Sequence, residues 1–265
     1  MIKGSKRAVV SNYSFGQNGF ILMELVKKGI RLRYRRSYLG IIWSLLEPLL
    51  SMIILTIVFG TLMGYNEKSF PVYILSGRLL YSFFSLGTTA ALKSIRLNSS
   101  IIKKVYVPKF LYPMSAILYN YVMFLISLTV LAAVSLCLGV YPTVYLIQIF
   151  VPLITVLLLC TGCGFILSTF GVFFRDLEYL WNIFMMLIMY TCAIFYKPEA
   201  ILNTKWGFIL ELNPLFCVID NFRSAVLGSA MNTGYMIYSL TFAMVSVAFG
   251  LFVFSRNEDK FILSI

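Results

Sequence analysis

The sequence predicts an all-α polytopic membrane protein with six transmembrane helices, and three observations carry that expectation. Of its 265 residues, 60% are hydrophobic and 12% charged, whereas soluble globular chains carry roughly 25% charged residues. No Asp, Glu, Lys or Arg occurs in the 65 residues from 110 to 174. That stretch holds two helices of about 20 residues, the length that crosses ~30 Å of hydrocarbon. The remaining basic residues are segregated, with successive connections alternately rich and poor in Lys and Arg.

Taken in order, residues 1–39 hold nine basic side chains and one acid, Glu24, and no apolar run precedes Gly40. No secretory leader is visible, so the chain is expected to begin in the cytoplasm. From 15 to 36, apolar Phe20, Ile21, Leu25, Ile30 and Leu32 alternate with Lys27, Lys28, Arg31, Arg35 and Arg36. This pattern predicts an amphipathic helix in the inner interface, with a plain basic flank as the simpler alternative. Spans are expected near 40–64, 70–92, 110–138, 143–172, 177–196 and 235–254, all within one transmembrane domain, 1–265. Six spans return the chain to its starting side. That side gathers 17 Lys and Arg against 4 on the other, with Arg78 inside the second span. The bias places both termini in the cytoplasm.

The connection 197–234 is too long to be a simple turn. Asn213 can accept hydrogen bonds from free amides, Pro214 suits a first helical position, and Gly228 can end the helix in a left-handed conformation. Asp220 and Arg223 stand three apart on one face, within pairing reach. A helix this apolar is expected to dip back into the outer leaflet, with 198–206 as its descending partner.

Composition excludes several chemistries. There is no histidine, so imidazole metal sites, histidine acid–base catalysis and a Ser-His-Asp triad are absent. Cys160 and Cys163 have metal-ligand spacing, but no second pair accompanies them and both sit in an apolar run, as buried hydrophobes do. No metal and no catalytic residue is expected. The net charge of +12 reads as cytoplasmic flanks and attraction to membrane lipids, not as nucleic-acid binding. There is no phosphate-binding loop, so any ATP is hydrolysed by another subunit. Proton-coupled transport uses chains of intramembrane acids or histidines. Here Glu47, beside Pro48, has only Arg78 as a counter-charge. The two differ in depth, so Arg78 is expected to snorkel outward. A lipid-modifying enzyme would need an acid–base pair at one depth, and only Glu47 and Asp176 or Glu178 are available. Along the fifth span, Trp181, Phe184, Ile188, Cys192 and Phe195 step by three and four residues. They form a face that either packs on a neighbour or lines a path on which sugar rings stack.

The run Arg33-Tyr-Arg-Arg-Ser-Tyr-Leu-Gly-Ile-Ile-Trp-Ser-Leu-Leu-Glu-Pro48 resembles the permease subunits of polysaccharide-exporting type-2 ABC transporters, the O-antigen, teichoic-acid and capsule exporters. Gly171-Val-Phe-Phe-Arg-Asp-Leu-Glu-Tyr179 and the stretch from Asn213-Pro214 through Phe222-Arg223 to Gly228 extend the resemblance over nearly the whole chain. The resemblance implies a homodimer in a bacterial cytoplasmic membrane, paired with a cytoplasmic ATPase dimer that supplies ATP and Mg. It implies a polyprenyl-pyrophosphate-linked glycan as substrate, received by Arg31, Arg33, Arg35 and Arg36, whose guanidinium groups suit phosphate oxygens. It implies a channel lined by Trp43, Trp181, Phe184 and Phe195. A coupling helix at 97–109 would dock on the ATPase through Lys103, Lys104, Tyr106 and Lys109. A re-entrant outer gate at 198–228 would include Asn213, Pro214, Asp220 and Arg223. Arg78, after Gly77, departs from the family's usual apolar residue. A drug or small-lipid exporter of the same ABC type is the alternative.

Overall fold

The computed structural model describes residues 15–34, 40, 42–65, 67–105 and 107–261, and every regular element among them is helical. Helix α1 (Phe15–Tyr34) precedes α2 (Ile42–Met63), α3 (Phe70–Leu97) and the single turn α4 (Ser99–Ile102). Then come α5 (Leu111–Cys137), a 3-10 turn at Val144–Ile149 running into α6 (Phe150–Phe173), and α7 (Leu177–Thr191). Two short helices, α8 (Glu199–Leu202) and α9 (Gly207–Glu211), lead to α10 (Pro214–Leu227) and α11 (Thr233–Asn257).

Four stretches are long and apolar enough to cross a membrane: Ile42–Leu62, Leu111–Cys137, Val144–Phe173 and Thr233–Lys260. Among the expected spans, α3 and α7 stand apart from these. With 28 residues, α3 is long enough at ~1.5 Å per residue, but it carries Arg78, Lys93 and Arg96 and several hydroxyls. Its job is central packing. It meets α2, α5, α6, α7 and α10, and most of its side chains are buried. α7 has 15 residues, about 22 Å of helix, and stops at Thr191 although the apolar sequence continues to Phe195. The break comes at Ala193, which takes a left-handed backbone, φ 46°, that a right-handed helix cannot include.

The broadest helix pairing, between α6 and α11, rests on two small residues. A side chain at Gly162 would run into the backbone of Ser246 and Val247, and one at Gly250 into the carbonyl of Gly162. With no hydrophobic force between helices in lipid, such close backbone approach supplies the packing that holds them. Cys160, fully buried, fills the space left by Gly87 on α3, so it serves as core. By contrast α2 is barely covered, with Ile54, Ile57 and Leu62 at least 60% exposed. The outward side of α7 is similarly bare at Leu180, Ile183 and Leu187.

Gly162→Leu is expected to cost ~1–3 kcal/mol by overpacking. Purified protein in detergent should then unfold several degrees below wild type, and an unchanged melting temperature would show that α6 and α11 do not meet here.

Candidate functional site

At one end of the bundle α1 lies against α5, where Gly29 rests on the ring of Tyr119. Between α1, α3 and α5 a pocket of about 690 Å³ opens. Its walls are mainly apolar, with Leu25 and Leu32 of α1, Leu86 of α3 and Tyr119 of α5, and its basic groups are Lys28 and Lys93. Tyr112, also in the wall, has a buried hydroxyl without a hydrogen-bond partner among the described residues. Lys93 and Arg96 both hold Glu178, at 2.5 and 3.0 Å. Two cations on one carboxylate leave net positive charge beside the pocket and pin the start of α7 to the end of α3. A greasy wall with cationic groups near its edge is complementary to an amphiphile with an anionic head.

The residues predicted for pyrophosphate binding fall partly here. Arg31 is exposed on α1, one turn beyond Lys28. Arg33 belongs to the same helix, but its side chain, together with Arg35 and Arg36, lies outside the described residues. Of the predicted coupling residues, Lys103 and Lys104 are exposed just after α4, with Val105 beside them. Tyr106 lies outside the described residues. Lys109 donates a hydrogen bond to the carbonyl of Glu258, which ties this connection to the end of α11.

The opposite end is organised around one buried cation. Arg223 of α10 is 2% exposed, and its guanidinium reaches across to two other elements. Nη1 donates to the hydroxyl of Tyr73 on α3 and to the carbonyl of Ala193, both at 2.9 Å. Nη2 and Nε donate to the carbonyls of Ile194 and Tyr73, at 3.4 and 3.3 Å. The guanidinium also lies 3.7 Å from the centre of the Tyr73 ring, a cation–π geometry strengthened by loss of water. Gly77, one turn beyond Tyr73, leaves the room this requires, since any side chain there would collide with the guanidinium. The left-handed Ala193 is thus held by the residue whose charge its carbonyl satisfies. The expected partner Asp220 is not within ion-pair distance of Arg223. Both line a pocket of about 230 Å³ with Glu67, Lys197 and Glu199, where Lys197 pairs with Glu67 at 2.6 Å.

The predicted caps of α10 are present. Asn213 accepts from the amide of Leu215, Pro214 starts the helix, and Gly228 ends it at φ 85°. Asn213 also donates to the Thr191 hydroxyl at 3.0 Å, fastening α10 to the end of α7. The predicted aromatic face of α7 divides. Trp181 donates to the Thr88 hydroxyl of α3 at 3.0 Å, and Phe195, past the helix end, stacks on Phe59 of α2 with ring centres 4.8 Å apart. Phe184 and Trp43 are half exposed. Tyr73, Gly77 and the 193–194 carbonyls escaped the sequence analysis. The signal available was Tyr73 and Gly77 spaced one turn apart, but their partners are backbone atoms that no residue type marks.

A match to the ABC-2 type transporter family extends over residues 22–227, from α1 to the end of α10. The chain belongs to that family. Both the pocket beneath α1 and the Arg223 cluster lie within the matched region, and the chain is accordingly a multi-pass membrane protein. It is 27% identical over 256 residues to an O-antigen export system permease protein RfbA of Klebsiella pneumoniae, covering 96% of this chain and 98% of that one. A permease of the same name from Myxococcus xanthus is 25% identical over 205 residues, 77% and 79% of the two chains. The polysialic acid transport protein KpsM of Escherichia coli is 23% identical over 244 residues, 91% and 94% of the two chains.

Arg223→Lys keeps the charge but loses the fork that meets several acceptors at once. The expected cost is at least ~2 kcal/mol, from lost charged hydrogen bonds worth ~1.5–3 kcal/mol each. Thermal unfolding of the purified protein checks this, and a melt like wild type would remove Arg223 as the tie between α10 and α3.

Proposed function

We propose that this chain is the membrane subunit of an exporter that carries a polyprenyl-pyrophosphate-linked polysaccharide across the bacterial cytoplasmic membrane. The cargo is of O-antigen or teichoic-acid type, and a separate ATPase supplies the energy. The observation that carries this reading is the near end-to-end likeness to proteins named as O-antigen export permeases. The excess of Lys and Arg at the α1 end supports placing that end, and both termini, in the cytoplasm. α3 and α7 complete a six-span layout, with α8 to α10 as the re-entrant outer gate.

The pocket beneath α1 suits the entering substrate. Lys28 and Lys93, with Arg31 at the rim, are placed to meet phosphate oxygens, while the leucine walls take the start of a prenyl chain. Arg33, Arg35 and Arg36 extend the same basic flank. Two copies would meet through the bare sides of α2 and α7, burying the apolar surface left uncovered in one chain, and Trp43 and Phe184 would face the path between them. ATP-driven closure of the partner ATPase would push on the exposed Lys103–Lys104 turn. An apolar groove of about 400 Å³ containing Trp181 and Phe184 gives some support to the alternative of a drug or small-lipid exporter.

Reconstitution with the cognate ATPase separates the two readings. Polyprenyl-pyrophosphate glycan should stimulate ATP hydrolysis several-fold, and hydrophobic drugs should not; the reverse pattern would replace this proposal with the alternative. In the same system Lys28→Ala with Lys93→Ala should weaken stimulation by the lipid-linked glycan at least tenfold while basal hydrolysis persists. Unchanged stimulation would move the phosphate elsewhere. Lys103→Glu with Lys104→Glu should leave assembly of the permease dimer intact and abolish export in cells. Normal export would refute the coupling assignment.

A further inference from the structure

Helix α2 is interrupted in its own hydrogen bonding at Pro48, which has no N–H for the Ser44 carbonyl four residues back. The Ser127 hydroxyl of α5 lies 3.1 Å from that carbonyl and 3.0 Å from the carbonyl of Met123. One proton serves both acceptors, so the tie between α2 and α5 is shared and readily exchanged. Behind the break lies a cavity of about 70 Å³ between α2, α3 and α5. Its wall includes Ser44, Glu47, Ser51, Arg78, Ser82 and Asn120, with Glu47 also exposed at the surface of the chain.

Arg78 was expected to snorkel away from Glu47, and the structure instead brings both charges to this one cavity. Their difference in depth is spanned by the cavity itself. Its wall runs from Ser44 to Ser51 on α2 and from Arg78 to Leu86 on α3, about 10–12 Å along each helix. The two do not form an ion pair; those among the described residues are Lys27–Glu24, Lys93–Glu178, Arg96–Glu178 and Lys197–Glu67. Arg78 Nη1 has the Met189 sulfur at 3.7 Å, a weak acceptor. Opposite charges at membrane depth need compensation, and at ~30 Å³ per molecule the space between them takes about two waters.

We propose that Glu47 and Arg78 form a water-bridged ion pair across this cavity, which holds α2 against α3 at the Pro48 break. Arg78 is a positioning residue: it acts through Glu47 on the angle of α2. Shortening the pair to direct contact draws α2 inward, and lengthening it lets α2 swing out. The inference borrows from the proposed function only its transport readout.

X-ray hydroxyl-radical footprinting of the purified permease tests the bridge, because ordered water is the radical source for buried side chains. Met123 lines the cavity and is 5% exposed, while Met185, 3% exposed, does not line it. Met123 should oxidise at least fivefold faster than Met185, and Arg78→Leu should remove most of that difference while Arg78→Lys retains it. Equal rates in wild type, or a difference unchanged in Arg78→Leu, would overturn the proposal. In cells Arg78→Leu and Glu47→Gln should each lower export about tenfold, the double variant no further, and Arg78→Lys should recover to within about threefold of wild type, by the non-additivity of residues that act as a unit. Multiplicative losses would equally overturn it. If wild type moves no glycan at all, the proposed function fails and the footprint alone decides this inference.

Discussion

The buried guanidinium of Arg223 is the constraint on which one end of the molecule depends. An unpaired charge in an apolar interior is among the most costly features a fold can carry, so its acceptors must be supplied together. Here they come from α3 and from the turn after α7. That demand explains three otherwise unrelated features: the missing side chain at Gly77, the left-handed Ala193, and the early end of α7. Once they are in place, α10 is fixed to the central helix of the bundle, and the capping of α10 by Asn213 fixes it to α7 as well.

The two ends therefore differ in physical character. Around Arg223 the guanidinium is buried and its N–H groups are matched by backbone carbonyls and the Tyr73 hydroxyl. Beneath α1 the basic groups stand at the edge of an open apolar pocket, with one carboxylate, Glu178, between two cations. That arrangement suits capture of an anionic amphiphile. Between the ends, α2 is attached through the Ser127 hydroxyl, the stack of Phe59 on Phe195 and the wall of the cavity that Glu47 and Arg78 share. Of the four candidate spans it is the least buried.

Much of this was legible in the sequence. The apolar runs located the helices to within a few residues, and Asn213, Pro214 and Gly228 marked α10 because caps are local chemistry. What failed was long-range. The apolar sequence through Cys192 and Phe195 suggested a longer α7, since hydropathy carries no sign of the backbone reversal that Arg223 enforces at Ala193. Asp220 was the nearest partner to Arg223 along the chain, but the fold offers backbone carbonyls instead. The three- and four-residue steps of Trp181 and Phe195 fitted both packing on a neighbour and the lining of a path. Only the hydrogen bond to Thr88 and the stack on Phe59 show that these two rings pack on neighbours. Depth counted along separate helices kept Glu47 and Arg78 from direct contact, and no ion pair joins them among the described residues; what it could not show is the cavity that both line.

The most direct test of the whole account is made in cells lacking this gene and any redundant exporter. Surface polysaccharide and the polyprenyl-linked glycan retained inside should be measured together. Loss of the surface polymer with accumulation of the lipid-linked form is the result the account predicts. Normal amounts in both pools would contradict it.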